Sequence, residues 1–226
     1  MEGNDQVGGE KKLVAGYRFQ VFCIPCNLKP VTWNALLCLV TLLFIAMLYF
    51  IAIVAPDTIN QQVLEWKNYM LQRFHCKVAL RSPAHITLIP PFEMAESIQP
   101  EMKEQLQSFA ASRHGFPVHL KNFAAFKPRV IYVDVLPDAR LTELKTTLET
   151  TLLQSSHFPI KKEDRPFHPH VTIANRDLKN EDFPLAWQYF QQITYTVNFP
   201  ADAITLLRNN SQIWEIAGTF PFGIER

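Results

Sequence analysis

Apolar residues recur along this chain at two spacings, which separate predicted helices from predicted strands. In residues 57–74 they recur every three or four positions, which predicts an amphipathic helix with one face in a core. The core-facing residues of this helix are Ile59, Val63, Trp66, Met70 and Phe74. The same spacing predicts further helices over 99–115, 138–154 and 183–191.

Short stretches rich in β-branched and aromatic residues lie between these helices and predict strands. They cover 48–55, 76–80, 85–90, 116–126, 129–137, 167–174, 193–199, 203–210 and 212–220. Helices and strands follow in a similar order in the two halves of the chain. The pattern therefore predicts an α+β fold with an internal duplication and antiparallel strands.

The composition narrows the classes of function. Of 226 residues 48% are hydrophobic, enough for one large domain or two small lobes. A formal net charge of +1 provides no broad basic surface for a long nucleic-acid duplex, so a nucleic-acid ligand is expected to be short or an end. The 4 cysteines are too few and too clustered for a disulfide-stapled secreted domain, which favours a reducing compartment.

An uncharged apolar run over 31–55 supports two interpretations. It is long enough to span a bilayer, and the basic residues before it would keep the N-terminus in the cytoplasm. However, its last part, 48–55, equally predicts a buried strand, which leaves too few residues for a span. We expect a cytoplasmic domain over 47–226 behind an extension over 1–46, with a membrane anchor through 31–55 as the alternative. The pair Cys23 and Cys26 in the extension is weak evidence for a metal or redox site.

Two short stretches carry the same motif in corresponding places of the two halves. "HIT" begins at His85 and "HVT" begins at His170, each within an apolar strand. Because residues two apart on a strand point to one side, each histidine shares a face with its threonine, Thr87 or Thr172. The alternate positions point into a core and are Ile86, Leu88, Val171 and Ile173. The imidazole and hydroxyl groups are therefore expected on an open, polar face.

The paired motifs, the run "FHPHVTIA" and the stretch "FPVHLKNFAAFKPRVIYVDV" resemble the 2H phosphoesterase superfamily, in its 2′-5′ RNA ligase-like and cyclic phosphodiesterase branch. The resemblance covers about 48–222. It implies a bilobal fold of two similar lobes, each with an antiparallel sheet and helices, around an active-site cleft. It also implies that His85 and His170 are the catalytic pair and that Thr87 and Thr172 bind phosphate.

The residue types suit this chemistry. Opening a 2′,3′-cyclic phosphate with water requires a base for the water proton and an acid for the departing ribose oxygen, and two histidines supply both near neutral pH. Threonine hydroxyls can donate to the non-bridging oxygens. No metal or other cofactor is required. The sequence leaves open which histidine is the base and whether hydrolysis or the reverse joining of 2′-5′ linkages matters.

Two substrate-binding residues are also expected. Relatives carry an arginine five residues after the second histidine, where this chain has Asn175, and Arg176 follows it. On a regular strand Arg176 shares the parity of His170 and reaches the phosphate, whereas a bend after Ala174 changes this. Phe92 is the nearest aromatic after the first motif and is the candidate for contact with a base, with a place in the core as the alternative.

The sequence is also compatible with other functions. His168, His170 and His85 could instead hold a metal, although carboxylates are absent from both motifs. The chain could also bind nucleotides or RNA ends without turning them over. We expect a monomer whose partners are short RNA ends or nucleotides.

Overall fold

The computed structural model describes residues 46–155 and 157–223, which form eight strands and four α-helices. The strands are β1 (Ala46–Val54), β2 (His85–Ala95), β3 (Phe116–Phe126), β4 (Val130–Val135), β5 (His170–Ala174), β6 (Thr196–Ala201), β7 (Ala203–Asn209) and β8 (Trp214–Pro221). The helices are α1 (Asp57–Phe74), α2 (Gln99–Ala111), α3 (Ala139–Gln154) and α4 (Phe183–Phe190).

The strands form a single antiparallel sheet in the order β6-β3-β4-β5-β2-β1-β7-β8. Four strands on each side make two half-sheets, and β5 and β2 meet at the centre. The only register partners between these two strands are Ile86 and Val171. The predicted α+β class and its two similar antiparallel halves are confirmed, with the addition that the halves join in one sheet.

The helices bury the face of the sheet that carries the aliphatic residues of the two motifs. Helix α1 contacts β5, and helix α3 contacts β2, so each of these helices packs below a strand of the other half. The ring of Trp66 on α1 lies edge-on to Phe123, with centroids 4.8 Å apart. The predicted core faces are confirmed, since Val63 and Met70 on α1 are fully buried. The helices therefore tie the halves together from below.

The chain departs from the predicted elements around the first motif. Residues 78–81 form a 3₁₀ helix, where the sequence predicts a strand over 76–80. The carboxylate of Asp177 accepts hydrogen bonds from the backbone N–H groups of Lys77 and Val78 there. Local sequence propensity cannot predict this contact, because the partners are far apart in the sequence. In addition, β2 continues through Pro90 and Pro91 to Ala95. Prolines are tolerated because no strand among the described residues pairs with this part of β2 on the side towards β5.

The apolar run over 31–55 ends in strand β1, as the strand interpretation predicts for its last part. In the part of the chain that the structure describes, no helix is both long and apolar enough to cross a bilayer. Residues 1–45, with Cys23 and Cys26, lie outside the described residues.

Candidate active site

The two motifs lie side by side at the centre of the sheet. Because Ile86 pairs with Val171 on antiparallel strands, His85 lies opposite Thr172 and Thr87 opposite His170. Opposite side chains on one face have Cβ atoms about 5 Å apart, and diagonal ones about 7–8 Å apart. The two histidines occupy diagonal corners of this square. On a regular strand pair, such diagonal positions leave room for one phosphate group between the side chains.

Burial separates the two faces as the motif predicts. The aliphatic residues of the motifs are fully buried on the helix side, and these are Ile86, Leu88, Val171 and Ile173. The two histidines and the two threonines are half-buried on the other face. The cavities described below lie on this face of the strands.

The two histidines are oriented in the same way. Nδ1 of His85 lies 2.7 Å from the carbonyl oxygen of Pro83, and Nδ1 of His170 lies 2.7 Å from the carbonyl oxygen of His168. A carbonyl oxygen can only accept, so Nδ1 carries the proton in each ring. Nε2 of each neutral ring is then left as an acceptor. Each ring can take a proton at Nε2 and can return it once protonated.

Burial favours the neutral form of both imidazoles. Burial lowers the pKa of His85 to about 4, and the charges of Lys67 and His170 act in the same direction. The pKa of His170 is also lowered, mainly by burial and then by charge on His168, whereas the hydrogen bond to the His168 carbonyl and the carboxylate of Asp134 oppose the shift. The histidines differ in environment, because the partner of His170 on β4 is Asp134 and the partner of His85 on β1 is Val54.

Two cavities meet at Thr87. The first has a volume of about 380 Å³, and its wall includes His85, Thr87, Thr172, Arg176 and Trp214. The second has a volume of about 450 Å³, and its wall includes Thr87, Phe126, Lys145, His168 and His170. Each cavity therefore contains one of the two histidines. Of the described residues, Thr87 is the one that lines both cavities, so they lie next to each other along the two motifs.

Arg176 reaches the cavity of His85 although the strand does not continue to it. Strand β5 ends at Ala174, and the chain turns, with the N–H of Leu178 donating to the carbonyl of Asn175 at 2.7 Å. Arg176 nevertheless lines the cavity of His85, and its side chain is exposed. Arg176 and Arg81 both line this cavity.

Phe92 is placed in the core instead. Its side chain is 7% exposed and its ring stacks on Tyr49 with centroids 6.1 Å apart. It lines neither of the two cavities that contain the histidines. Phe92 lies seven residues after His85, so on an alternating strand it faces the side opposite the imidazole. The register of β2 against β1 shifts twice before Phe92, on either side of Ile89, and two one-residue bulges leave this alternation unchanged.

Other aromatic side chains take the position beside the histidines. The ring of Phe50 lies 4.8 Å from that of His85, and Trp214 meets Phe50 edge-on at 4.6 Å. On the other side, the ring centroids of Tyr132 and Phe126 lie 5.0 and 5.3 Å from that of His170. Sequence reasoning missed these residues, since aromatic residues in strands are ordinary core residues. One sequence signal could have pointed to this strand as part of the site, namely Asp134, a lone acid in the apolar strand "VIYVDV".

His168 makes contacts of its own outside the histidine pair. Its Nε2 lies 3.1 Å from the hydroxyl of Tyr132 and 3.6 Å from Oδ1 of Asp134. Its ring centroid is 6.3 Å from that of His170. Within residues 46–155 and 157–223, no group of three or more histidine, cysteine, aspartate or glutamate side chains has the arrangement of a metal site.

Comparison with known proteins agrees with this geometry. The sequence is 36% identical over 95 residues to an RNA 2′,3′-cyclic phosphodiesterase of Aeropyrum pernix, covering 40% of this chain and 51% of that protein. It is 27% identical over 141 residues to an RNA 2′,3′-cyclic phosphodiesterase of Bacillus subtilis, covering 60% of this chain and 75% of the relative. The chain thus spans only about half of the archaeal protein.

Solved structures share the fold. The protein TT0787 of Thermus thermophilus superposes with a TM-score of 0.60 at 18% identity, over 80% of this chain and 100% of that one. E. coli LigT complexed with 3′-AMP superposes with a TM-score of 0.56 at 18% identity, over 78% of this chain and 98% of the other. The sequence model of the 2′-5′ RNA ligase superfamily matches residues 55–212, which include both motifs. The chain belongs to the 2′-5′ RNA ligase superfamily, in agreement with the resemblance that its paired motifs carry.

Proposed function

We propose that this protein is a metal-independent phosphoesterase that opens 2′,3′-cyclic phosphates, or cleaves or joins 2′-5′ linkages, on RNA ends or nucleotides. The observation that carries the proposal is the pair of histidines on adjacent strands, each with Nδ1 bound to a backbone carbonyl and Nε2 left as an acceptor. The names of the relatives, RNA 2′,3′-cyclic phosphodiesterases, agree with this chemistry. We further propose that residues 47–226 are sufficient for it.

The reaction needs two proton transfers on opposite sides of one phosphorus. One imidazole takes the proton of a water molecule at Nε2 as the water oxygen bonds to phosphorus. The other imidazole, protonated at Nε2, gives its proton to the ribose oxygen as the bond between that oxygen and phosphorus breaks. The diagonal placement of His85 and His170 suits this arrangement, and either histidine can take either role.

The remaining polar groups stabilise charge. Thr87 and Thr172 each stand opposite a histidine and can donate a hydroxyl hydrogen to a non-bridging oxygen, where negative charge grows in the transition state. Arg176, which lines the cavity of His85, supplies a permanent positive charge for the phosphate. In this proposal the aromatic residues beside the histidines, and not Phe92, contact the base.

The test is hydrolysis of a nucleoside 2′,3′-cyclic phosphate with chelator present, by wild type, His85→Ala and His170→Ala. We expect turnover that survives chelator and falls by about 10² or more in each variant, as loss of a general acid or base should cause. His114→Ala is the matched control, because His114 is exposed and lies outside both cavities. Activity that chelator abolishes would refute metal independence.

The same assay separates the proposal from a binding role. Two results together would contradict the proposed reaction. Wild type and His85→Ala would bind the nucleotide equally well, and neither protein would form product from the cyclic phosphate or from a 2′-5′-linked dinucleotide. A protein that starts at Met47 should retain full turnover if residues 47–226 are sufficient.

A further inference from the structure

The segment 77–84 leads directly into the first motif and forms part of the site. Val78, Ala79, Arg81 and Ser82 line the cavity that contains His85. The carbonyl of Pro83 accepts the hydrogen bond from Nδ1 of His85 and so sets the orientation of the ring. A shift of this segment would therefore move both the wall of the cavity and the imidazole.

Asp177 in the other half of the chain holds the start of this segment. Its Oδ2 accepts the backbone N–H of Lys77 at 2.6 Å and that of Val78 at 2.8 Å. Asp177 lies seven residues after His170, in the turn after β5. One carboxylate oxygen thus ties the turn behind His170 to the segment ahead of His85, across about 100 residues of sequence.

The far end of the segment is held by helix α1. Nζ of Lys67 donates to the carbonyl of Ser82 at 2.9 Å, and Oδ1 of Asn60 accepts the N–H of Ala84 at 2.5 Å. Helix α1 itself contacts β5, the strand of the second motif. The segment that orients His85 is consequently fastened at both ends to elements that pack on the half of the molecule containing His170.

Direct strand pairing constrains the two halves weakly. Ile86 and Val171 are the only register partners between β2 and β5. Because only this one pair of residues joins the two strands at the junction, the relative position of the histidines depends on contacts that connect the halves elsewhere. The hydrogen bonds of Asp177 are of this kind, and they act on the segment that contacts His85.

We propose that Asp177 is a positioning residue, which holds the 77–84 segment against the second half-sheet and so fixes His85 relative to His170 and the substrate phosphate. The catalytic part of this inference rests on the proposed phosphoesterase function. Asp177 takes no part in proton transfer. Because misplacing a reacting group by about 1 Å can cost about 10²-fold in rate, a small shift of the segment is sufficient to affect turnover.

The test compares Asp177→Ala, which removes the acceptor, with Asp177→Asn, which keeps an acceptor oxygen without the charge. Asp138→Ala is the matched control: Asp138 also accepts a backbone N–H, that of Arg140 at 2.7 Å, but it caps α3 outside both cavities. Two quantities are measured well below each unfolding temperature, namely the NMR titration of the His85 and His170 rings without substrate, and kcat and KM for a nucleoside 2′,3′-cyclic phosphate.

In Asp177→Ala we expect the His85 titration to move upwards, because a loosened segment admits water to the ring. We also expect kcat to fall by about 10- to 100-fold, and KM to change by less than about threefold because the phosphate-binding hydroxyls remain. Asp177→Asn should show smaller changes in the same direction. Asp138→Ala should lower the unfolding temperature and leave the His85 titration and kcat at wild-type values.

Wild-type titration and kcat in Asp177→Ala would overturn the inference. If that variant does not fold, Asp177→Asn decides: a smaller upward shift with reduced kcat supports the inference, and wild-type behaviour refutes it. If wild type itself fails to turn over cyclic phosphates and 2′-5′ linkages, the proposed function fails, and the NMR titration alone then decides whether Asp177 positions His85.

Discussion

His85 lies opposite Thr172, and not opposite the histidine of the second motif, because Ile86 is the register partner of Val171. The same register places Thr87 opposite His170. Each imidazole thus has a hydroxyl group across from it, and each half of the molecule contributes one of each. In the proposed reaction, a phosphate between the strands is met by two groups that move protons and two that donate hydrogen bonds. Activity should therefore depend on all four side chains.

Replacing either threonine with valine removes the hydroxyl and keeps the shape. We expect Thr87→Val and Thr172→Val each to lower kcat for a nucleoside 2′,3′-cyclic phosphate by about 10²–10³-fold, the usual effect of losing one donor to a developing oxyanion. Thr150→Val on the exposed face of α3 is the control and should keep wild-type kcat. A loss of less than about threefold in both site variants would contradict the assigned role.

The pH dependence of kcat/KM is expected to follow from the lowered pKa values of the two histidines. The proposed reaction needs one neutral and one protonated imidazole. Because both pKa values lie below the ordinary 6.5, the competent form of the free enzyme becomes scarcer as pH rises, by about tenfold per unit above the higher pKa. We therefore expect kcat/KM to peak below about pH 6.5.

A bound phosphate shifts this profile. Its negative charge favours the protonated imidazoles and raises both pKa values, so kcat should peak at a higher pH than kcat/KM. Both profiles are measured from about pH 4 to pH 8, with circular dichroism at each pH to confirm that the protein stays folded. A maximum of kcat/KM at or above about pH 7 would be inconsistent with the burial of the two rings.

Phe126 is predicted to stack on the base of the substrate. It is 40% exposed and lines the cavity of His170. Stacking of a base on an aromatic ring contributes about 1–3 kcal/mol, so Phe126→Leu should raise KM for a nucleoside 2′,3′-cyclic phosphate by about tenfold. Ribose 2′,3′-cyclic phosphate has no base, and its KM should not change. Tyr189→Leu is the control, because Tyr189 is equally exposed at 40% but lies outside both cavities.

Lys67 makes stability depend on pH in the alkaline range. It is 4% exposed, and burial lowers its pKa to about 8 from 10.5. Below pH 8 the folded protein carries a buried ammonium, which costs about 3 kcal/mol relative to the unfolded chain, and this cost disappears as pH rises from 8 to 10.5. The free energy of unfolding should therefore rise with pH relative to that of Lys67→Met.

Urea unfolding at about pH 7 and about pH 10 measures this difference. Lys121→Met, at an exposed position on β3, is the control and should show no such change relative to wild type. If the difference in free energy of unfolding between wild type and Lys67→Met is the same at both pH values, Lys67 is charged in the folded protein across this range.

The sequence alone was sufficient for the helices, for most of the strands and for the faces of the two motifs. Helical spacing predicted α1 and its core face, because the period of a helix is a local property of the chain. Alternation on a strand likewise predicted that Ile86 and Val171 point into the core while the histidines and threonines share the open face. The two similar halves and the family followed from the same motifs.

Only the tertiary structure decided which strands are neighbours and what surrounds the histidines. The pairing of β2 with β5, the stacking of Phe92 on Tyr49, and the contact of Asp177 with the 3₁₀ helix that stands in place of a predicted strand all join residues far apart in sequence. The burial that lowers the pKa of His85 arises in the same way. Local periodicity contains no information about such contacts, because they depend on which surfaces meet when the two halves pack together.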